Sequence, residues 1–148
     1  MQNGRRMAFD YGDVRIGVAV SDPSGLLSTP LENILNSDTS KLESIRALIL
    51  EHEPIYLAVG SPLHLSGQTS AKGESVQIFC KEIAALTQTP IYLIDERLTT
   101  VSAARSIKET GKNTRDAKSI IDGFAAAAIL DSALNQERLH GALMVRFI

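Results

Sequence analysis

The chain has 148 residues, of which 44% are hydrophobic and 22% are charged, a composition that excludes a disordered or fibrous protein. This length accommodates one ordinary domain rather than two, so we expect a single domain covering residues 1–148. The formal net charge of −2 disfavours a generic nucleic-acid coat protein, and the single cysteine, Cys80, excludes an internal disulfide.

Nothing in the sequence predicts export or membrane insertion. The first residues include arginines, but no apolar stretch of signal-peptide length follows them. The longest apolar run covers residues 124–130, which is too short to cross a bilayer. We therefore expect a cytoplasmic protein with no membrane partner.

The first strong pattern covers residues 7–22, MAFDYGDVRIGVAVSD, and predicts two short strands joined by the turn Gly12-Asp13. Strand alternation places Asp10 on one face with Ala8, opposite to Phe9. Burying an unpaired carboxylate costs several kcal/mol, roughly, so such a residue is usually paired, bound to a metal or exposed at a sheet edge. This segment alone leaves an exposed edge residue and a functional Asp10 equally open.

The remaining elements follow from apolar periodicity and from the positions of Gly and Pro. They are a third strand within Leu26–Leu35, a helix from a capping box at Ser40–Glu43 to Pro54, a strand at Ile55–Val59, a polar loop at Gly60–Gly73, a helix burying Val76, Phe79, Ile83 and Leu86, a strand at Ile91–Ile94, a helix from Thr99 or Thr100 to Ile107, and a helix from about Asp116 to Gln136. This order predicts an α/β fold with a five-stranded mixed sheet flanked by helices, the first three strands being antiparallel and the last two parallel neighbours.

Acidic residues occur where such a sheet places its chemistry. Asp95 and Glu96 directly follow a buried strand, and ligands of open α/β sheets bind beyond the carboxyl ends of strands. In the last helix, a principal apolar face is expected at Ile120, Phe124, Ala127 and Leu134. Asp122 lies on the opposite side, whose other members are small or apolar: Ala126, Ile129 and Ala133.

Three acids, Asp10, Glu96 and Asp122, are thus expected at a strand, a strand end and the start of a helix, from which they could converge. Carboxylates repel one another unless a cation lies among them, and oxygen ligands suit Mg²⁺ or Mn²⁺. Two such ions about 4 Å apart can activate a water and stabilise the leaving oxygen of a phosphodiester. The three acids are therefore candidate ligands of a divalent metal ion.

Four segments resemble the YqgF (RuvX-like) family, described as Holliday-junction resolvases and pre-16S rRNA nucleases with an RNase H-like fold. They are DYGDVRIGVAVSD at 10–22, VGSPLHLSG at 59–67, DERLTT at 95–100 and IDGFAAAAIL at 121–130. The resemblance implies that Asp10, Glu96 and Asp122 form the catalytic, metal-binding triad. It also implies a nucleic-acid substrate, either precursor rRNA or branched DNA.

Six side chains are candidates for contacts with that substrate: Arg15, Lys72, Arg97, Thr99, Arg105 and Lys118. The sequence departs from the family pattern in two places. Lys72 stands where relatives often have arginine, and Thr114–Lys118 replaces a more basic run before the last aspartate. We expect a monomer or a weak homodimer.

Two rival interpretations stay open, ATP binding and nucleic-acid binding without cleavage. The motif at 10–22 also resembles the phosphate-binding opening of actin-like sugar kinases, but those enzymes need two such lobes. A P-loop at Gly67–Gly73 is disfavoured because Lys72 and Gly73 stand in the wrong order. The stronger rival is an RNase H-like domain that binds nucleic acid without cutting it.

Overall fold

The structure is a computed structural model that describes residues 1–62, 71–95, 115–141 and 145–147, with the backbone alone for residues 115–122. Its strands are β1 (Met7–Tyr11), β2 (Arg15–Ser21), β3 (Ser28–Pro30), β4 (Ile34–Leu35), β5 (Leu57–Ser61) and β6 (Ile91–Asp95). Its helices are α1 (Lys41–His52), α2 (Ala71–Ala84) and α3 (Arg115–His140). The helix predicted from Thr99 or Thr100 to Ile107 lies outside the described residues.

The strands form one mixed sheet in the order β3-β2-β1-β5-β6, with β4 also paired to β2. β1 to β3 pair antiparallel, whereas β5 is parallel to both β1 and β6. The predicted antiparallel start and the parallel pairing of the two apolar strands are therefore confirmed. Beyond β6, a C-terminal segment adds backbone bonds from Leu93 N–H to Val145 O and from Phe147 N–H to Ile91 O, each 2.8 Å long.

The strand expected within residues 26–35 is divided into two, so the sheet has six strands where five were predicted. After β3 the Leu31 N–H still donates to Val18 O at 2.8 Å, and the chain then leaves the sheet before Ile34 pairs with Ile16. Pro30, which has no N–H to donate, is the last residue of β3, a strand at the border of the sheet, where proline is tolerated.

One face of the sheet carries a core of large aliphatic and aromatic side chains beneath α1 and α2. Phe9 from β1 meets Phe79 from α2 edge to face, with ring centroids 5.9 Å apart. The predicted apolar face of α2 is confirmed, because Val76 and Ile83 are also fully buried in this core.

The other face is covered by α3 and consists mainly of small side chains. Ala8, Ala19 and Ala58 from three strands pack in one cluster with the buried face of α3, which comprises Ala125 to Leu130, Ala133 and Leu134. The expectation that Phe124 belongs to the principal buried face is wrong, since its side chain is 51% exposed. Eight of the thirteen buried residues that the structure describes in this cluster are alanines, so α3 packs closely against the sheet.

Several element ends differ from the predictions. Ser40 occupies the N-cap position of α1, but its hydroxyl donates to Asp38 Oδ1 at 2.7 Å, so the predicted capping box does not form. α2 begins at Ala71, which places Lys72 in its first turn rather than in the predicted loop. β5 begins at Leu57, two residues after the predicted start. Within the described part of the chain, no helix is long and apolar enough to cross a membrane.

Candidate active site at the carboxyl edge of the sheet

The parallel strands define one edge of the sheet as the candidate site. β1, β5 and β6 run in the same direction and end at Tyr11, Ser61 and Asp95. β2 runs the opposite way, so its first residue, Arg15, lies at the same edge. α2 also begins near this edge because it follows β5 along the chain. We call this border the carboxyl edge.

Asp10 is buried next to the carboxyl edge. Its strand, β1, lies between β2 and β5, and its side chain is 3% exposed, so the interpretation of Asp10 as a solvent-facing edge residue is wrong. Alternation along β1 places Asp10 with Ala8 on the face that α3 covers. The residue opposite it on β2 is Gly17, which has no side chain to fill the space beside the carboxylate.

Contacts near the two ends of α3 show in which direction the helix crosses the sheet. Near the start of the helix, a Cβ added at Gly123 would lie 3.5 Å from Pro30 Cβ and 3.9 Å from Asn33 Oδ1. Near its end, Glu137 contacts Arg6, which immediately precedes β1. The helix therefore runs antiparallel to β1, with its N-terminal half towards the carboxyl edge.

The other two acids of the predicted triad are located through their neighbours. Glu96 lies outside the described residues, but Ile94, two positions earlier in β6, belongs to the core beneath α3. The backbone of Asp122 is part of α3, and its side chain lies outside the described atoms. One turn further along, Ala125 and Ala126 are buried against the sheet. Among side chains that the structure describes, no group of three or more His, Cys, Asp or Glu residues could hold a metal ion.

Two of the predicted substrate contacts lie in described segments near the carboxyl edge. Arg15 is half-buried and shares a face with Gly17 and Ala19, the face that also carries Asp10. It is the diagonal cross-strand neighbour of Asp10, a separation of roughly 7–8 Å that a long side chain can span. Lys72 is half-buried in the first turn of α2.

The remaining candidate contacts are not described. Arg97, Thr99 and Arg105 lie outside the described residues. The backbone of Lys118 belongs to α3, but its side chain is likewise outside the described atoms. Their roles remain predictions.

The sequence interpretation missed a buried ion pair at the opposite edge of the sheet. Arg6 is completely buried, and its guanidinium donates to Glu137 from Nη2 to Oε2 at 2.8 Å and from Nε to Oε1 at 3.2 Å. The Tyr56 hydroxyl donates to the same carboxylate at 3.0 Å. Burial, reinforced by the charge of Glu137, raises the pKa of Tyr56 well above its usual value.

This ion pair holds the C-terminal half of α3 against the edge of the sheet where β1 begins, which we call the amino edge. Its partners are 131 positions apart, and no short motif connects them. The one available signal was a basic pair, Arg5-Arg6, directly before an apolar strand. We assign Arg6 to the packing of α3, because it contacts Glu137 and lies at the end of β1 opposite to Asp10.

Comparison with known proteins identifies the family of this chain. The family profile RuvX: Holliday junction resolvase matches residues 4–136. A relative from Streptomyces coelicolor is 41% identical over 143 residues, which cover 95% of this chain and 86% of the relative. A relative from Mycolicibacterium smegmatis is 41% identical over 140 residues, covering 91% and 82%. Both carry the name "Putative pre-16S rRNA nuclease".

Two solved structures show the fold. Thermus thermophilus RuvC in complex with a Holliday junction substrate has a TM-score of 0.58 and 17% identity, covering 95% of this chain and 98% of that chain. A second Thermus thermophilus RuvC structure has a TM-score of 0.55 and 16% identity, covering 97% and 99%. The predicted RNase H-like fold is thereby confirmed. The chain belongs to the RuvX Holliday junction resolvase family, and it is a nuclease, a hydrolase of nucleic acids, built on an RNase H-like sheet.

Proposed function

We propose that this nuclease is a metal-dependent endonuclease that processes the 5′ end of precursor 16S rRNA, in the cytoplasm, as a single domain over residues 1–148. The observation that carries the proposal is the position of Asp10, a carboxylate buried in a central strand beside the carboxyl edge. The substrate follows from the relatives at about 40% identity, whose name specifies pre-16S rRNA.

In this proposal Asp10, Glu96 and Asp122 hold Mg²⁺ or Mn²⁺. The fit rests on the donor chemistry, since carboxylate oxygens are the ligands these ions prefer, and on the residue opposite Asp10, Gly17, which adds no side chain next to the carboxylate. The bound ions would activate a water and stabilise the leaving oxygen of the phosphodiester.

The protein contributes a fixed position for the first ligand. Asp10 belongs to a strand that has a neighbour on either side, and Phe9 beside it is packed in the large-residue core. Because both neighbouring strands and the core restrain this backbone, the carboxylate is held in place before substrate arrives. Such preorganisation is what positions a reacting group without a cost at the moment of reaction.

Basic side chains around the carboxyl edge would bind the phosphates on either side of the scissile bond. Arg15 is supported by its diagonal position next to Asp10, and Lys72 by its place in the first turn of α2, where the helix dipole also favours an anion. Arg97, Thr99, Arg105 and Lys118 complete the proposed contacts. These contacts would recognise the backbone and carry no base sequence information.

Salt dependence tests the phosphate contacts. Replacing Lys72 or Arg97 by Ala should weaken RNA binding for all sequences and lower the slope of log K against log salt by about one. Lys81→Ala is the matched control, because Lys81 is an exposed lysine in the last turn of the same helix as Lys72. An unchanged slope in both test variants would refute these two contacts.

Cleavage of precursor 16S rRNA tests the proposed activity directly. With Mn²⁺ or Mg²⁺, the wild-type protein should release the 5′ extension, and Asp10→Asn should lose this activity by orders of magnitude. Asp13→Asn, which removes the same charge from the exposed turn after β1, should cleave normally. If the two variants cleave equally well, Asp10 has no catalytic role.

A second candidate function is resolution of a Holliday junction. It is favoured by the description of the matching family and by the fold shared with RuvC. Offering the same protein a four-way DNA junction and precursor 16S rRNA side by side separates the two substrates. If wild type and Asp10→Asn bind both nucleic acids equally and neither cuts, a non-catalytic binding domain becomes the better account.

A further inference from the structure

A groove of about 720 Å³ separates the segment around β4 from α1. One wall consists of residues 31–35, and the other consists of Asp38, Ser44, Ala47, Leu48, Glu51 and His52. We call this feature the β4–α1 groove. Its volume lies within the roughly 300–1,000 Å³ that is usual for ligand sites.

The groove lies on the sheet face opposite to Asp10. Ile34 in its wall is buried in the large-residue core beneath α1 and α2, and Leu31 and Leu48 pack partly against that core. Leu35 at the rim is 53% exposed, and Ala47 is also exposed. The groove therefore presents apolar surface to a binding partner, away from the proposed active site.

The charged side chains that line the groove are carboxylates. Its lining includes Glu32, Asp38 and Glu51, and none of the lining residues that the structure describes is Lys or Arg. The backbone N–H and hydroxyl of Ser40 hydrogen-bond to Asp38 and hold the pKa of that carboxyl below its usual value, so it stays ionised. His52, the remaining titratable group, lies with Nε2 3.8 Å from Glu51 Oε2.

We propose that the β4–α1 groove binds a segment of a partner protein in which Lys or Arg residues flank apolar side chains. The apolar walls accept the apolar side chains, and Glu32, Asp38 and Glu51 complement the cations. A phosphodiester backbone is repelled by the same carboxylates, which distinguishes this surface from the one that binds substrate. The inference does not depend on catalysis at the carboxyl edge.

Peptide titration followed by amide shifts in NMR spectra tests this proposal on the full chain. The probe is a short peptide of alternating leucine and lysine, and the control peptide has glutamate in place of lysine. The basic peptide should shift the amides of residues 31–35 and 44–52, and the acidic peptide should shift neither segment. Shifts confined to other surfaces would overturn the proposal. The proposal would also be overturned if an RNA oligomer shifted the signals of the same amides.

Variants with matched charge make the test sharper. Neutralising the groove by Glu32→Gln, Asp38→Asn and Glu51→Gln should weaken peptide binding roughly tenfold, the sum of three exposed ion pairs. The control Asp13→Asn, Glu74→Gln and Glu82→Gln changes the net charge equally, outside the groove, and should leave binding within about twofold. Equal losses in both triple variants would show non-specific attraction and overturn the proposal.

A steric variant tests the shape of the site. Ala47→Arg places a bulky cation inside the groove at an exposed helix position, where folding is not impaired. It should lower affinity for the basic peptide at least as much as the triple neutralisation. Unchanged affinity would show that the peptide does not occupy the groove.

Discussion

The two faces of the sheet differ in side-chain size and in where they place charge. Beneath α1 and α2 the core is built from large apolar residues such as Phe9 and Phe79. Beneath α3 it is built mainly from alanines, together with larger residues such as Ile129 and Leu134, with Asp10 towards one end of the face and the Arg6–Glu137 ion pair at the other. We call the face beneath α1 and α2 the large face and the face beneath α3 the small face. The large face buries the bulkier apolar side chains, whereas the small face places a helix close to acidic and basic groups.

This difference explains why chemistry is expected on the small face. An alanine-lined interface lets the backbone of α3 approach β1, so a carboxylate near the start of the helix can lie close to one on the strand. Large side chains in the same layer would separate them. The comparison therefore predicts that the two faces respond differently to substitution.

The largest expected effect is on the charged end of the small face. Glu137→Ala leaves the fully buried Arg6 guanidinium without its carboxylate, and we expect a loss of about 3–5 kcal/mol in the free energy of unfolding. Asp131→Ala is the control on the same helix, because Asp131 accepts an exposed hydrogen bond from Ser28 and should cost less than about 1 kcal/mol. Urea denaturation measures both. Equal losses would mean that the buried ion pair contributes no more than the exposed hydrogen bond.

On the large face, replacing a large side chain by a small one should lower stability because it leaves a cavity. Phe79→Ala removes a fully buried ring that contacts both Phe9 and Tyr11, and we expect about 3–5 kcal/mol of destabilisation. Its neighbour Ile78 is 60% exposed, and Ile78→Ala should change stability by less than about 0.5 kcal/mol. Denaturation of the two variants side by side checks the packing assigned to α2.

On the small face, replacing a small side chain by a large one should lower stability because there is no room for the added volume. Ala126→Leu inserts a larger side chain between α3 and the sheet, and we expect about 1–3 kcal/mol of destabilisation together with reduced nuclease activity. Asn135→Leu makes a similar addition at an exposed position of the same helix and should be nearly neutral. A neutral Ala126→Leu would show that α3 does not pack as closely as its alanines indicate.

The sequence predicted those parts of the fold that depend on local pattern. Continuous apolar runs located β5 and β6 and their parallel pairing, and helical spacing located the buried face of α2. On α3 the same spacing correctly predicted that Ala127 and Leu134 are buried, but it wrongly included Phe124, whose side chain is 51% exposed.

Other features depend on contacts that no local pattern contains. The Arg6–Glu137 pair joins the two ends of the chain, and the hydroxyl of Ser40 bonds to Asp38 instead of capping α1. For the candidate site, alternation correctly placed Asp10 opposite to Phe9. The grouping of Asp10 with Glu96 and Asp122 came from family resemblance and stays a prediction.

The central claim is that Asp10 binds a metal ion rather than stabilising the fold. Thermal melting with and without Mn²⁺ tests this claim most directly. A ligand that binds only the folded state stabilises it by RT ln(1 + [L]/Kd). Millimolar Mn²⁺ should therefore raise the Tm of wild type and have little effect on Asp10→Asn. Without metal the variant should be at least as stable as wild type, because one of the three mutually repelling charges of the proposed triad would be gone. A wild type that shows no Mn²⁺-dependent shift, together with an Asp10→Asn variant that melts at a lower temperature, would contradict the account and make Asp10 a structural residue.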